Sequence, residues 1–240
     1  GEECRFAALR RMPSQKRSDK MIIAREKKLE DIYSLTSSYQ KIMIVGCAGC
    51  TAVCLAGGHQ EVVRFKEELS LYMKKHGTEA ALKGYTVERQ CEPIFIFELV
   101  ERMRNIDAIV SMGCGAGTQL LAEKFDDIPV FPALDTVFVG ISRETGLYEE
   151  NCRSCGDCQL GYTGGICPVT RCAKGIFNGP CGGSTNGRCE VDPDIPCAWC
   201  QIYERLKKQN RIENMYAIRR SMQWKNQNPG MLIQKGFEKQ

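Results

Sequence analysis

The sequence predicts an α/β fold: a small parallel, Rossmann-like sheet domain, then a cysteine-rich, metal-stapled, ferredoxin-like module, then a C-terminal helix and tail. Two observations predict it. Short apolar runs alternate with amphipathic stretches over residues 41–135, the pattern of parallel strands joined by helical crossovers. Nine of the fifteen cysteines then lie between Cys152 and Cys200, in a stretch rich in Gly and Pro. Such a stretch has too little apolar mass to fold by burial alone, so we expect its thiols to be tied together.

The same patterns divide the chain into four parts. We expect a basic extension over residues 1–21, an α/β domain over 22–150, a cysteine-rich iron–sulfur module over 151–203, and a C-terminal helix with a partner-binding tail over 204–240. A hydrophobic content of 43% and a charged content of 26% are ordinary for a soluble protein. The net charge of +4 is too small to call for a nucleic-acid partner.

Two further expectations follow from composition. The apolar runs are shorter than the roughly 18 residues of a membrane span, so no membrane span is predicted. Unpaired thiols in this number suit a reducing, cytoplasmic compartment. The fragility of iron–sulfur clusters favours an anaerobe.

The predicted elements of the α/β domain follow in order. Residues 22–40 are predicted to start as a helix, because their apolar residues suit one helix face. Those residues are Ile22, Ile23, Leu29, Ile32 and Leu35. Strands are predicted at 41–47, 85–91, 106–114 and 128–134, with helices at 60–75, 93–105 and 117–125. The helix over 60–75 is predicted to bury Val63, Leu69 and Tyr72.

The segments on either side of the cysteine-rich stretch carry weaker patterns. Alternating apolar residues predict a short strand or an edge hairpin within residues 136–151. Apolar residues at helical spacing predict a helix over 201–223. The tail from Trp224 to Phe237 mixes apolar and polar residues, which is typical of a segment that is either unstructured or held on a partner.

Three cysteines end predicted strands of the sheet. They are Cys47, Cys91 and Cys114. Because the carboxyl ends of parallel strands share one edge, where ligands bind, these thiols should converge. Cys50 and Cys54 follow the first strand in a C-x2-C-x3-C pattern. The five thiols are candidates for one four-thiolate cluster, and the spacing leaves open which four bind it.

Two alternatives apply to this edge. A buried cysteine can act as a small apolar residue, which suits Cys54 or Cys91 best. This role does not suit all five cysteines at once. The glycines after the first and third strands, among them Gly113, Gly115 and Gly117, could belong to a dinucleotide site. No G-x-G-x-x-G motif follows the first strand, so that reading is the weaker one.

The spacing at the start of the cysteine-rich stretch favours iron–sulfur ligation. Cys152, Cys155 and Cys158 form C-x2-C-x2-C, and Cys167 precedes Pro168. In bacterial ferredoxins such a run supplies three thiolates to one cluster, and a remote Cys-Pro completes a site. Zinc instead favours separated C-x2-C pairs. Disulfides would suit a small secreted chain, but no signal-peptide pattern is visible.

Four later cysteines leave the division of ligands open. Cys172, Cys181, Cys189 and Cys197 are separated by eight, seven and seven residues. They could form a second metal site, including one for zinc, or supply late ligands to the first cluster. The spacing alone does not decide how these thiols divide.

A longer signature runs from Gly179 to Trp199. It reads GPCGG at 179–183, CEV at 189–191 and CAW at 197–199. This stretch resembles the cysteine-rich C-terminal domain in the iron–sulfur, non-flavin subunit of anaerobic methylenetetrahydrofolate reductases. Together with the N-terminal half of the chain, the resemblance covers roughly residues 22–210. It implies [4Fe-4S] clusters, of which we expect two, and a role in electron transfer. Cys200 lies outside the pattern and is not expected to be a ligand.

The resemblance also implies a partner. The flavin, FMN or FAD, and the folate would lie in a flavoprotein catalytic subunit, to which this chain relays electrons from an external donor, such as a further electron-donor module. The sequence shows no Ser/His/Asp arrangement, P-loop or paired-carboxylate motif, so we expect no catalytic site in this chain. Two alternatives stay open: a zinc-stapled scaffold without a redox role, and a cluster subunit of a different redox complex.

Overall fold

The computed structural model describes residues 22–222, 230–234 and 236–237. The chain splits into two compact units, and the division falls between Thr136 and Val137. The extension predicted over residues 1–21 lies outside the described residues, as does most of the tail predicted from Trp224.

The first unit alternates strands and helices. Its elements are β1 (Ile22–Glu26), α1 (Leu29–Thr36), β2 (Lys41–Cys47), α2 (Cys50–Val53), α3 (His59–Lys75), β3 (Ala81–Val87), α4 (Pro93–Ile96), β4 (Ala108–Ser111), α5 (Gly115–Lys124) and β5 (Val130–Pro132). A 3-10 segment, Phe97–Met103, continues α4. The α/β class predicted from the sequence is therefore confirmed.

Four of these strands form a parallel sheet in the order β3-β2-β4-β5. The chain runs outward from β2 to β3, then crosses back to β4 on the other side of β2. The carboxyl ends of β2 and β4 therefore flank a topological switch point, which is where open α/β sheets place their ligands.

The central strand β2 is buried on both faces, because every residue after Lys41 is buried from Ile42 to Cys47. One side of the sheet packs on the helices through a cluster that includes Met43, Val45 and Leu121. Helix α3 buries four residues at helical spacing: Val62, Phe65, Leu69 and Met73. The predicted face was wrong at Val63, which is 40% exposed.

Three predicted elements need correction. Residues 22–26 form strand β1, not the start of a helix, and the helix begins only at Leu29. Strand β3 ends at Val87, so Cys91 lies in the loop beyond it and does not end the strand. Strand β4 likewise ends at Ser111, and Cys114 precedes the first residue of α5.

The second unit begins with an antiparallel pair. Strand β6 (Leu134–Glu144) carries the chain into this unit and pairs with β7 (Leu147–Cys152), so the predicted edge hairpin is confirmed. Over residues 153–197, all of which the structure describes, the only helix is the short α6 (Pro168–Arg171). The ferredoxin-like fold expected for this stretch stays a prediction.

Helix α7 (Ala198–Lys208) is the main apolar anchor of the second unit. Trp199, Ile202 and Leu206 form a buried cluster, and the Trp199 Nε1–H donates to the carbonyl of Ile176 at 2.7 Å. The helix ends at Lys208 and is followed by a 3-10 turn, Ile212–Met215. The prediction of one helix over 201–223 was therefore wrong beyond its first two turns.

No helix within residues 22–222, 230–234 and 236–237 combines the length and the apolar character needed to cross a lipid bilayer.

Candidate metal centres

The carboxyl edge of the parallel sheet brings together four of the five predicted N-terminal thiols. Cys47 is the last residue of β2 and Cys50 is the first residue of α2, so both lie at the carboxyl end of β2 beside the switch point. Cys114 lies at the N-terminus of α5, directly after β4. Cys91 comes from the loop after β3.

The electrostatics of Cys91 show that these thiols are neighbours. Burial raises the pKa of the Cys91 thiol, and the nearby thiols of Cys114, Cys47 and Cys50 raise that pKa further. Repulsion of this kind means that thiolates beside Cys91 would need a compensating positive charge. A thiolate-ligated iron centre provides one, because metal binding is what deprotonates such thiols.

A buried glutamine explains why Cys91 reaches the site although it lies beyond its strand. Gln90 is 1% exposed. Its amide Nε2 donates to the carbonyl of Val45 on β2 at 2.7 Å, and its Oε1 accepts from the hydroxyl of Ser111 on β4 at 2.7 Å. The side chain thus ties the Cys91 loop to both strands of the switch point.

Two glycines after β4 make room for this glutamine. A Cβ on Gly113 would lie 2.3 Å from Gln90 Oε1, and one on Gly117 would lie 2.6 Å from Gln90 Cβ. These glycines, considered above for a dinucleotide site, pack against Gln90. Sequence reasoning missed Gln90 and Ser111; no motif marks them, and their role depends on contacts between separate strands.

Cys54 differs from the other four thiols. It is 5% exposed, and its Sγ accepts from the backbone N–H of Ala24 on β1 at 3.5 Å. Burial raises the pKa of the Cys54 thiol, as it does that of Cys91, and the Cys50 thiol raises the pKa of Cys54 further. Of the two roles weighed from the sequence, the small buried residue fits Cys54 better than the ligand.

A second set of thiols lines one small cavity in the second unit. The cavity walls include Cys172, Cys181, Cys189 and Cys197, together with Glu190. Cys172 follows α6 and Cys197 precedes α7, while the other two come from the intervening loops. The structure thus groups the four late cysteines whose division the spacing left open.

Hydrogen-bond donors surround Cys197. Burial alone would raise the pKa of the Cys197 thiol, but the pKa is lowered overall because the backbone N–H and thiol of Cys200, the N–H of Trp199 and the hydroxyl of Ser184 bond to the sulfur. The Cys200 thiol also lies 3.3 Å from Ser184 Oγ. Cys200 and Ser184 therefore support Cys197; the role of Ser184 had no signal in the sequence.

The remaining four cysteines precede that cavity in the chain. Cys152 ends β7, Cys155 and Cys158 lie in the following loop, and Cys167 is the residue before α6. Ser154 and Gly156 have positive φ angles of 53° and 76°, which let the loop turn tightly between the thiols. The hydroxyl of Thr170 on α6 donates to the carbonyl of Asn151 at 3.4 Å, so the two ends of this set are connected.

No group of three or more His, Cys, Asp or Glu side chains in the described part of the chain is arranged as it would be around a metal ion. A zinc ion binds each of its sulfur ligands at a Zn–S distance of about 2.3 Å, so four thiols around one zinc must lie close to one another. In a [4Fe-4S] cluster each thiolate binds a different iron, and the sulfurs stand further apart. The donor chemistry of the sheet-edge set, all thiol and no His, fits such a cluster.

Comparison with known proteins adds one match. Residues 131–225 match a family model described as the methylene-tetrahydrofolate reductase C-terminal domain. This match relates the cysteine-rich part of the chain to proteins associated with an oxidoreductase. No curated protein and no solved structure matches the chain.

Proposed function

We propose that this chain is an electron-transfer subunit that carries [4Fe-4S] clusters and supplies electrons to the flavin of a methylenetetrahydrofolate reductase catalytic subunit. The family match over residues 131–225 supports the folate connection. The observation that carries the electron-transfer role is the placement of Cys47, Cys50 and Cys114 at the carboxyl ends of β2 and β4, close enough to Cys91 to raise its pKa.

The thiols divide, in this proposal, into three sets of four. The sheet-edge set of Cys47, Cys50, Cys91 and Cys114 holds one [4Fe-4S] cluster. The C-x2-C-x2-C run with Cys167 holds a second. The four thiols that line the cavity beside Trp199 hold a further metal, either zinc or a third cluster. Cys54 and Cys200 are not ligands.

The protein would contribute three things to such centres. Thiolates hold the iron, backbone N–H groups and hydroxyls bond to the sulfurs, and burial sets the local dielectric; all three tune a reduction potential. Reduction of a flavin takes two electrons, and each cluster carries one at a time. The flavin and the folate would bind in the partner, and this chain would work with it in a reducing compartment such as the cytoplasm.

Chemical analysis of anaerobically purified protein is the first test. We expect about four iron and four inorganic sulfide for each cluster, and a reducible visible absorption band. Zinc without iron or sulfide would support the scaffold alternative instead. Iron and sulfide without any effect on a folate-reducing flavoprotein would support a cluster subunit of another complex.

Activity measurements test the second half of the proposal. The chain alone should not reduce methylenetetrahydrofolate, whereas the flavoprotein with this chain and a reduced low-potential donor should. Reduction by this chain in the absence of any flavoprotein would contradict the relay. A flavoprotein that accepts electrons from the donor equally well without this chain would contradict it too.

A further inference from the structure

The second unit carries an open pocket of about 410 Å³, and four of its ten lining residues are basic. Arg143 from β6, Arg171 from α6, and Arg205 and Lys208 from α7 all line it. Glu204 is the acidic residue of the lining. A volume of this size is within the range of small-molecule sites.

Helix α7 supplies one whole wall of the pocket. Gln201, Glu204, Arg205 and Lys208 line it and recur at the three- and four-residue spacing of one helix face. The apolar cluster of Trp199, Ile202 and Leu206 occupies the buried face of the same helix. The polar face of α7 therefore borders a concave site rather than a flat solvated surface.

A carboxylate behind the pocket holds two of its arginines. Glu149 on β7 forms ion pairs with both Arg143 and Arg171, and it is not one of the lining residues. Each guanidinium has five N–H donors, and these pairs use one from each arginine. Donors thus remain for a ligand, and the arginines are already oriented.

The third arginine is held as well. Arg205 donates from a terminal guanidinium nitrogen to the carbonyl of Gly164 at 3.3 Å. A Cβ on Gly164 would lie 2.7 Å from Arg205 Cγ, so the stem of the arginine lies directly over this glycine. Lys208 is the one lysine among the four cations, and its flexible ammonium suits a contact with a single ligand oxygen.

We propose that this pocket binds a small anion that bears at least two carboxylate or phosphate groups. Its four cations outnumber the two nearby carboxylates, Glu204 and Glu149. Held guanidinium groups match planar carboxylate and phosphate oxygens in geometry. Anion binding goes beyond the electron-transfer role, although Cys167, assigned above to a cluster, also lines the pocket.

The test uses the intact, metal-loaded chain with sodium pyrophosphate and with citrate, each titrated calorimetrically at about 0.15 M salt. We expect at least one of them to bind with one site per chain. Lys208→Gln should weaken that binding about tenfold or more, because it removes a charge-assisted contact. Lys207→Gln is the matched control, since Lys207 precedes Lys208 but does not line the pocket; its effect should stay within about twofold, because Lys207 would not contact an anion bound there.

The outcomes separate the ligand classes. Preference for pyrophosphate identifies a phosphate-bearing ligand, and preference for citrate a polycarboxylate. Equal losses from Lys208→Gln and Lys207→Gln would show attraction to the overall charge and would overturn the proposal. Failure of both anions to bind at millimolar concentration would overturn it as well.

Discussion

Cys54 and Ala24 are hydrogen-bonded to each other. The Ala24 N–H donates to Cys54 Sγ at 3.5 Å, and the Cys54 thiol lies 3.8 Å from the Ala24 carbonyl oxygen. This contact turns one of the five N-terminal thiols toward strand β1. The thiols of Cys47 and Cys114 raise the pKa of Cys91, whereas the Cys50 thiol raises the pKa of both Cys91 and Cys54.

The first prediction concerns which of Cys114 and Cys54 is an iron ligand. Cys114→Ala should remove about four iron atoms per chain, while the fold of the first unit survives on its apolar core. Cys54→Ser, the matched control, should keep its iron and lose only some stability, because a small buried group is altered. Iron and sulfide analysis of both variants is the measurement. Loss of iron from Cys54→Ser and not from Cys114→Ala would reverse the assignment.

The second prediction concerns Gln90. Gln90→Leu removes both bonds that join the Cys91 loop to Val45 and Ser111, and it leaves a buried Ser111 hydroxyl with fewer partners. We expect a destabilisation of about 1–3 kcal/mol, together with slower or incomplete assembly of the sheet-edge cluster. Thermal unfolding and cluster reconstitution kinetics measure the two effects. Normal assembly would mean that the loop positions Cys91 without the glutamine.

The third prediction concerns the cavity set. Cys197→Ala should release the metal bound by Cys172, Cys181, Cys189 and Cys197, since a four-thiolate site loses a ligand. Cys200→Ala removes only a hydrogen-bonding neighbour of Cys197 and should keep the metal. Metal analysis decides between them. If Cys200→Ala lost the metal and Cys197→Ala kept it, Cys200 would be the ligand.

The fourth prediction concerns the folding of the cysteine-rich stretch. Chelation of its metals should unfold residues 152–200, because metal binding supplies folding free energy where apolar burial is small. Limited proteolysis should then cut within this stretch while residues 41–135 stay protected. Native-like protease resistance after complete metal removal would contradict the role of metal as a staple.

The fifth prediction concerns the tail. Met231, Leu232 and Phe237 are 90%, 82% and 80% exposed, and we expect them to bury against the flavoprotein. Replacing all three by serine, or deleting residues 224–240, should weaken association while the cluster spectra stay unchanged. Gln234→Ser is the control and should have no effect. Unchanged affinity of the triple variant for the flavoprotein would mean that the tail does not contribute to this association.

The sequence by itself determined the parallel sheet and its strand–helix alternation. Those features follow from local patterns: the apolar run of β2 and the periodicity of α3 report burial directly, because side-chain spacing repeats with secondary structure. It missed β1, since Ile22 and Ile23 suit a helix face and a buried strand equally well over so few residues. It also placed the end of β3 too late.

Only the tertiary structure decided how the thiols sort. Cys54 and Cys50 are close neighbours in sequence, yet Cys54 bonds to Ala24 on β1, whereas Cys50 begins α2 and raises the pKa of Cys91. The four late cysteines are spread over 26 residues and still line one cavity. The spacing of the cysteines identifies candidate ligands, but whether their thiols converge depends on strand order and on contacts such as those of Gln90. Such contacts join residues far apart in the chain, so no local pattern records them.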